Sequence, residues 1–174
     1  EILQLEKLGV ARRSESSFAS PLHMVRKPDG SWRPCGDYRR LNNITKPDRY
    51  PLPHIQDITS RLAGARVFSK FDLQKGFWQI PVAPEDVHKT AIITPFGLWE
   101  FTRMPFGLSN AAQAFQRLID HVLRDLPGVY AYVDDILVAS PDEATHLEHV
   151  TALFDRLAEN GLILHPGKCI FAQD

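Results

Sequence analysis

Residues 129–138 read Val-Tyr-Ala-Tyr-Val-Asp-Asp-Ile-Leu-Val, an apolar, β-branched and aromatic run broken once by two adjacent carboxylates, Asp134 and Asp135. Without the aspartates the segment has the pattern of a pair of buried β strands. Burying an ionised carboxylate in such surroundings is costly unless a cation or a donor network compensates, which points to a bound metal. The plainer alternative is a surface hairpin with Asp-Asp at its tip, and the segment by itself leaves both open.

The chain has 174 residues, enough for one domain with a real core or for a domain with a small lobe attached. Its 44% hydrophobic and 24% charged residues are ordinary for a globular protein and exclude a disordered chain. No apolar run approaches the roughly 18 residues a membrane span needs, and the opening Glu1-Ile2-Leu3-Gln4-Leu5-Glu6-Lys7 is not a signal peptide. The two cysteines, Cys35 and Cys169, have neither metal-site spacing nor a framework of partners, so an intracellular, reducing compartment is expected and secretion is not. A net charge of −1 argues against gripping nucleic acid by bulk field and leaves room for a local basic patch.

Residues 2–8 have the pattern of a short amphipathic helix, and Gly9 with Ser14-Glu15-Ser16-Ser17 reads as an irregular lead-in. A hairpin follows: Leu22 to Lys27, a turn at Pro28-Asp29-Gly30-Ser31, and a return strand from Trp32-Arg33-Pro34. Lys27 and Arg33 flank its tip. Between Arg26 and Arg49, seven Lys or Arg stand against three Asp, interleaved with Trp32 and Tyr38, a local excess of +4. That is the footprint of a phosphate-contacting lobe, or else a solvated surface. Pro53 suits the first position of a helix with Ile55, Ile58 and Leu62 on one face and Gly64 beyond its end. Val67 to Leu73 is a strand candidate that carries Asp72, with Phe77 shortly after. A second hairpin spans 91–102 around Pro95-Phe96-Gly97. Beyond the loop Met104 to Leu108, Ser109 or Asn110 caps a helix whose Ala111, Ala114, Phe115, Leu118 and Val122 share a face. Ser140-Pro141-Asp142-Glu143 suggests a capping box for a last helix with a buried stripe of Leu147, Val150, Phe154 and Leu157. His146 and His149, without acidic or Cys partners nearby, are expected to face solvent.

This order suits an α+β fold, an antiparallel sheet with helices packed on one face. If the strands are neighbours, Asp72 lies beside Asp134 and Asp135. Three converging carboxylates suit two divalent ions held about 3.5–4 Å apart, and the chemistry they suggest is phosphoryl transfer.

The ordered set Trp32-Arg33-Pro34, Asp37-Tyr38-Arg39-Arg40-Leu41-Asn42, Phe71-Asp72-Leu73, Lys89-Thr90-Ala91-Ile92, Met104-Pro105-Phe106-Gly107-Leu108-Ser109-Asn110-Ala111 and Tyr132-Val133-Asp134-Asp135 resembles the reverse transcriptases of LTR retroelements, and most closely those of gypsy-like retrotransposons. The resemblance covers nearly the whole chain. It implies an RNA-directed DNA polymerase, a nucleotidyltransferase within a pol polyprotein, with the fold of a right-hand polymerase lacking its thumb. All of 1–174 would then be a reverse transcriptase domain, fingers mainly 1–66 and 78–108, palm mainly 67–77 and 109–174.

The same resemblance implies the residue roles. Asp72 and Asp134 would bridge two Mg²⁺ ions, for which Mn²⁺ can substitute, with Asp135 completing the cluster and the carbonyl of Leu73 adding a ligand. Lys27 and Arg33 would hold the triphosphate of the incoming dNTP. Phe77 would lie beneath the sugar and reject a 2′-hydroxyl by a clash. Phe106 and Gly107 would shape the nucleotide pocket; a hydrogen bond made by Gln where this chain has Phe106 does not carry over. For Phe77 and Phe106 a plain core role is the competing explanation.

The implied partners are an RNA or DNA template-primer and the thumb, connection, ribonuclease H and integrase regions of a polyprotein, with no membrane; the implied location is the cytoplasm, within virus-like particles. With the chain stopping at Lys168 to Asp174, an excised fragment, a degraded element or a host-retained copy is expected. The alternative function is a non-catalytic remnant that binds nucleic acid or a protein partner. A two-metal hydrolase is disfavoured, since no base or water-orienting residue is evident.

Overall fold

The structure, a computed structural model, describes residues 2–28 and 30–173; Glu1, Asp29 of the expected turn, Asp174 and the side chain of Ile55 lie outside the described residues. The first half of the chain forms α1 (Ile2–Lys7), β1 (Ala11–Arg13), β2 (Ser20–Arg26), β3 (Trp32–Gly36), α2 (Arg39–Ile44), α3 (Ile55–Arg61) and β4 (Val67–Asp72). The second half forms β5 (Ile92–Thr94), β6 (Gly97–Phe101), α4 (Ala111–Val122), β7 (Val129–Tyr132), β8 (Asp135–Ser140), α5 (Glu143–Glu159) and β9 (Ile170–Gln173). Two compact units result, one of residues 1–47 and 77–111, the other of 48–76 and 112–174.

The first unit is built on a five-stranded sheet in the order β1-β6-β5-β2-β3. Both expected hairpins are present: Arg26 pairs with Trp32 and Val25 with Arg33, while Thr94 pairs with Gly97. Only β2 and β5 run parallel. Leu5, Val10, Ala11, Tyr38, Ile92, Trp99 and Phe101 form the core, and the buried Tyr38 hydroxyl donates to the Thr90 carbonyl at 2.8 Å. The lead-in expected to be irregular contains β1, which takes its order from distant partners. Ala11 buries opposite Phe101, Arg12 pairs with Glu100 at 2.7 Å, and Arg13 lies 4.1 Å over the Trp99 ring.

The second unit holds an antiparallel four-stranded sheet, β7-β8-β4-β9. The period of two sorts its residues. Val67, Ser69 and Phe71 of β4 pair with Ser140, Val138 and Ile136 of β8, and all six are buried. On this face Phe71 packs edge-on against Phe154 of α5, ring centroids 5.3 Å apart. The alternate residues Lys70 and Asp72, opposite Leu137 and Asp135, lie on the other face. The expected α+β architecture with helices on one face of an antiparallel sheet is therefore observed.

Segment 48–66, expected to go with the fingers, belongs to the second unit, because Asp48 pairs with Arg117 at 2.7 Å, the Tyr50 hydroxyl donates to Asp120 at 2.7 Å, and the Tyr130 hydroxyl reaches the Arg61 carbonyl at 3.1 Å. Pro53 precedes α3 rather than opening it, since His54 is the N-cap. The cap of α5 is Asp142, which accepts from the Thr145 N–H at 2.8 Å, rather than Ser140, which ends β8. The stripe of α5 is also rotated. His146, Leu153 and Leu157 are buried, whereas Leu147 is 69% exposed and Phe154 38%.

The reason for that rotation is a buried polar network. His146 lies within hydrogen-bonding distance of Ser69 Oγ (Nε2, 2.7 Å) and Ser140 Oγ (Nδ1, 3.0 Å), and Ser140 Oγ also meets His149 Nδ1 at 2.9 Å. The two strand serines thus supply the polar partners that the sequence did not reveal. Burial, and then the neighbouring His149, push the His146 pKa below its ordinary 6.5. The folded state then binds fewer protons than the unfolded one, so this group's contribution to stability is intact above pH 6.5 and lost as pH falls through that value toward the folded pKa. Urea midpoints between pH 8 and 5 should therefore decline in the wild type and decline less in His146→Gln; equal slopes would show that His146 does not drive the effect.

Candidate active site

The carboxylates come together through sheet register. Asp72 ends β4 directly opposite Asp135, the first residue of β8, on the face that α5 does not cover. Asp134 sits in the two-residue turn from β7 to β8, and its carbonyl accepts from the Leu73 N–H at 3.1 Å, tying the turn to the end of β4. Gly76 leaves room for it: a Cβ there would lie 2.9 Å from the Asp134 Cβ. The turn also holds Val133 at φ +53°, a left-handed conformation that β-branched residues rarely adopt.

Two lysines meet this anionic group. Lys70 Nζ lies 3.0 Å from Asp135 Oδ1, and Lys168 Nζ lies 3.7 Å from Asp72 Oδ1. The hydrogen bond to Asp135 foremost, with the charges of Asp135, Asp72 and Asp134, raises the Lys70 pKa. Asp134 is exposed as a residue, yet partial desolvation of its carboxyl raises its pKa. Asp135 and Asp72 raise it further, against a backbone hydrogen bond and Lys168, which lower it.

Among the described residues, no three carboxylate, His or Cys side chains are gathered closely enough to enclose one ion. The donor set nevertheless fits a hard divalent cation in its chemistry: three carboxylates whose oxygens are hard ligands, Asp134 having its pKa raised first by desolvation and then by Asp135 and Asp72. Lys70 was legible in principle, two residues before Asp72 and so on its face; Lys168, in a single 3₁₀ turn (Pro166–Lys168), carried no such signal.

In the first unit, the structure brings Arg33, Phe77 and Phe106 together. The Arg33 guanidinium lies 4.7 Å over the Phe106 ring, and Phe77 meets Phe106 edge-on at 5.4 Å between centroids. Gly107 follows at φ +95°, its carbonyl accepting from Asn42 Nδ2 at 2.8 Å. Lys27 donates its N–H to the Ser31 carbonyl at 2.7 Å, which continues the ladder and puts Lys27 on the same face of the hairpin as Val25 and Arg33.

Asp72 and Asp135 thus face each other on one side of an antiparallel sheet, each met by a lysine, with Asp134 at the adjoining turn. The family model described as "Reverse transcriptase (RNA-dependent DNA polymerase)" matches residues 25–174. The chain belongs to the reverse transcriptase family. It is 40% identical to the Retrovirus-related Pol polyprotein from transposon 297 of Drosophila melanogaster, over 98% of this chain and 17% of that protein. It is 37% identical to the Transposon Tf2-3 polyprotein of Schizosaccharomyces pombe, over 99% of this chain and 13% of that one. The chain thus spans less than a fifth of the length of these polyproteins. Among solved structures, a Prototype Foamy Virus protease-reverse transcriptase superposes with a TM-score of 0.90 at 31% identity, covering 99% of this chain and 23% of that one. A foamy viral protease-reverse transcriptase bound to double-stranded DNA gives 0.91 at 30% identity, covering 97% and 30% respectively. Another, bound to an RNA/DNA hybrid, gives 0.90 at 30% identity, covering 98% and 23%.

Proposed function

We propose that this chain is the fingers and palm of an RNA-directed DNA polymerase from a retrotransposon pol polyprotein, adding deoxynucleotides from dNTPs to a primer 3′-hydroxyl on an RNA or DNA template. The observation that carries this reading is the register of β4 and β8, which sets Asp72 against Asp135 with Asp134 at the adjoining turn. On this reading the palm, expected over 67–77 and 109–174, centres on the unit of 48–76 and 112–174, and the fingers, expected over 1–66 and 78–108, on the other.

Asp72, Asp134, Asp135 and the Leu73 carbonyl would hold two Mg²⁺ ions, with Mn²⁺ as a substitute. When bound, such ions supply Lewis acidity at the primer hydroxyl and positive charge at the departing pyrophosphate. Lys27 and Arg33 bind the triphosphate as cations on one face of their hairpin. Phe77, braced by Phe106, lies under the sugar, and Phe106 and Gly107 line the base side of the pocket. The partners follow: a template-primer, and the thumb, connection, ribonuclease H and integrase regions of the polyprotein, within cytoplasmic virus-like particles. No helix among the described residues is long and apolar enough to cross a membrane.

The direct test is primer extension on an RNA template by the 174-residue chain with and without Mg²⁺. Metal-dependent extension is expected; none from a folded protein would leave the non-catalytic alternative standing. Phe77→Ala should raise ribonucleotide incorporation by about 10-fold or more, because a steric gate selects by repulsion alone. Unchanged sugar selectivity would remove Phe77 from that role.

A further inference from the structure

We propose that Gln116 is the positioning residue of the catalytic turn, a buried amide that clamps Val133 in its left-handed conformation and thereby aims Asp134 and Asp135. The inference rests on the polymerase reading for what those carboxylates do, but the clamp itself stands on geometry.

A β-branched residue at φ +53° persists only where its surroundings over-determine it. Beside the backbone tie of Asp134 to Leu73, one side chain holds Val133 itself. Gln116 of α4 is fully buried. Its Oε1 accepts from the Val133 N–H at 2.7 Å, and its Nε2 donates to the Ala131 carbonyl at 3.2 Å and to Asp120 Oδ1 at 2.8 Å. The partners fix the orientation of the amide, because a backbone N–H can only donate while a carbonyl and a carboxylate can only accept. The amide therefore grips the chain on both sides of Tyr132, at residues 131 and 133.

The clamp is itself braced. The other oxygen of Asp120 accepts from the Tyr50 hydroxyl at 2.7 Å, the Arg117 guanidinium covers the Tyr50 ring at 4.8 Å, and Arg117 pairs with Asp48 at 2.7 Å. A hydrogen-bonded line thus runs from segment 48–50 through α4 to the Asp-Asp turn, all within the second unit. Within that line Gln116 makes the hydrogen bonds to Val133 and Ala131, and apolar replacements of similar volume remove both at once.

The test uses Gln116→Leu, the shape-preserving Gln116→Met, and each combined with Val133→Gly in the 174-residue chain. Amide hydrogen exchange at Val133 should accelerate by about 10-fold or more in either single variant, while a cooperative thermal transition remains. In metal-dependent primer extension, kcat should fall by about 10-fold with the dNTP KM within about twofold, the mark of lost alignment rather than lost binding. Adding Val133→Gly should return kcat to within about threefold of the wild type, since glycine occupies a left-handed turn position without a clamp. Unchanged exchange at Val133 in the folded variants would overturn the clamp, and so would a kcat loss that Val133→Gly does not recover, which would mark Gln116 as core packing. A wild-type chain that extends no primer would overturn the polymerase reading instead; exchange at Val133 would then still decide the clamp, acceleration supporting it and no change refuting it.

Discussion

Asp134→Asn is expected to reduce Mg²⁺-dependent primer extension by about 10³-fold, the scale set by removing a charge aimed at a transition state. Its effect on stability should run the other way. Partial desolvation first, and then Asp135 and Asp72, hold the Asp134 pKa above the ordinary 3.8, so in metal-free protein its ionisation opposes folding. The sign follows directly. A group whose folded pKa is raised binds more protons when folded, and the stability it contributes is present below 3.8 and lost as pH rises through the folded value. The neutral amide should therefore be at least as stable as the wild type at pH 7 without metal. Melting with and without Mg²⁺ completes the test: the ion should raise the wild-type midpoint and leave that of the variant nearly unmoved. Extension at wild-type rates in Asp134→Asn would sink the two-metal assignment.

Phe71→Ala carries the largest expected cost to folding. Phe71 is fully buried on the helix-backed face of β4, edge-on to Phe154 at 5.3 Å and to Phe171 at 5.2 Å. Truncation removes both ring contacts and leaves a cavity beneath the sheet, at a cost of about 3–5 kcal/mol. Against a total stability of about 5–15 kcal/mol, this would leave the second unit marginal or unfolded at 37 °C. The neighbouring residue is Asp72, so a variant that still folds should also lose extension. Urea denaturation gives the number, with Phe154→Ala as the milder control because that residue is already 38% exposed. A loss under about 1 kcal/mol would mean that β9 and α5 collapse onto the gap.

What was legible in the sequence was whatever breaks its own local pattern. Two carboxylates inside an apolar strand pair, and a third closing another strand, pointed to one centre before any pairing was known, and the turn at Pro28 to Ser31 marked its hairpin. What was not legible depends on partners far along the chain. Ala11 to Arg13 becomes a strand only because Phe101, Glu100 and Trp99 lie opposite, and β9 because Phe68 and Lys70 do. His146 looked like a surface histidine until Ser69 and Ser140 supplied its partners from two strands. Gln116 was the hardest: a glutamine in an amphipathic helix is ordinarily at the water line, and only the strained turn it serves explains its burial.

The alignment of Asp72 with Asp135 bears on how such a sequence tolerates copying errors. Side chains alternate across a strand with a period of two, so a single-residue insertion or deletion within β4 or β8 would turn Phe71 or Ile136 out to water and carry the aspartate into the apolar layer under α5. Stability and chemistry would be lost in one stroke. Frame-preserving length changes inside these strands pass through a folded-but-silent outcome only where a bulge absorbs the extra residue, whereas loops other than the Val133–Asp134 turn carry no such constraint. A lineage replicated with frequent slippage should accordingly vary in length around this pair of strands and not within them.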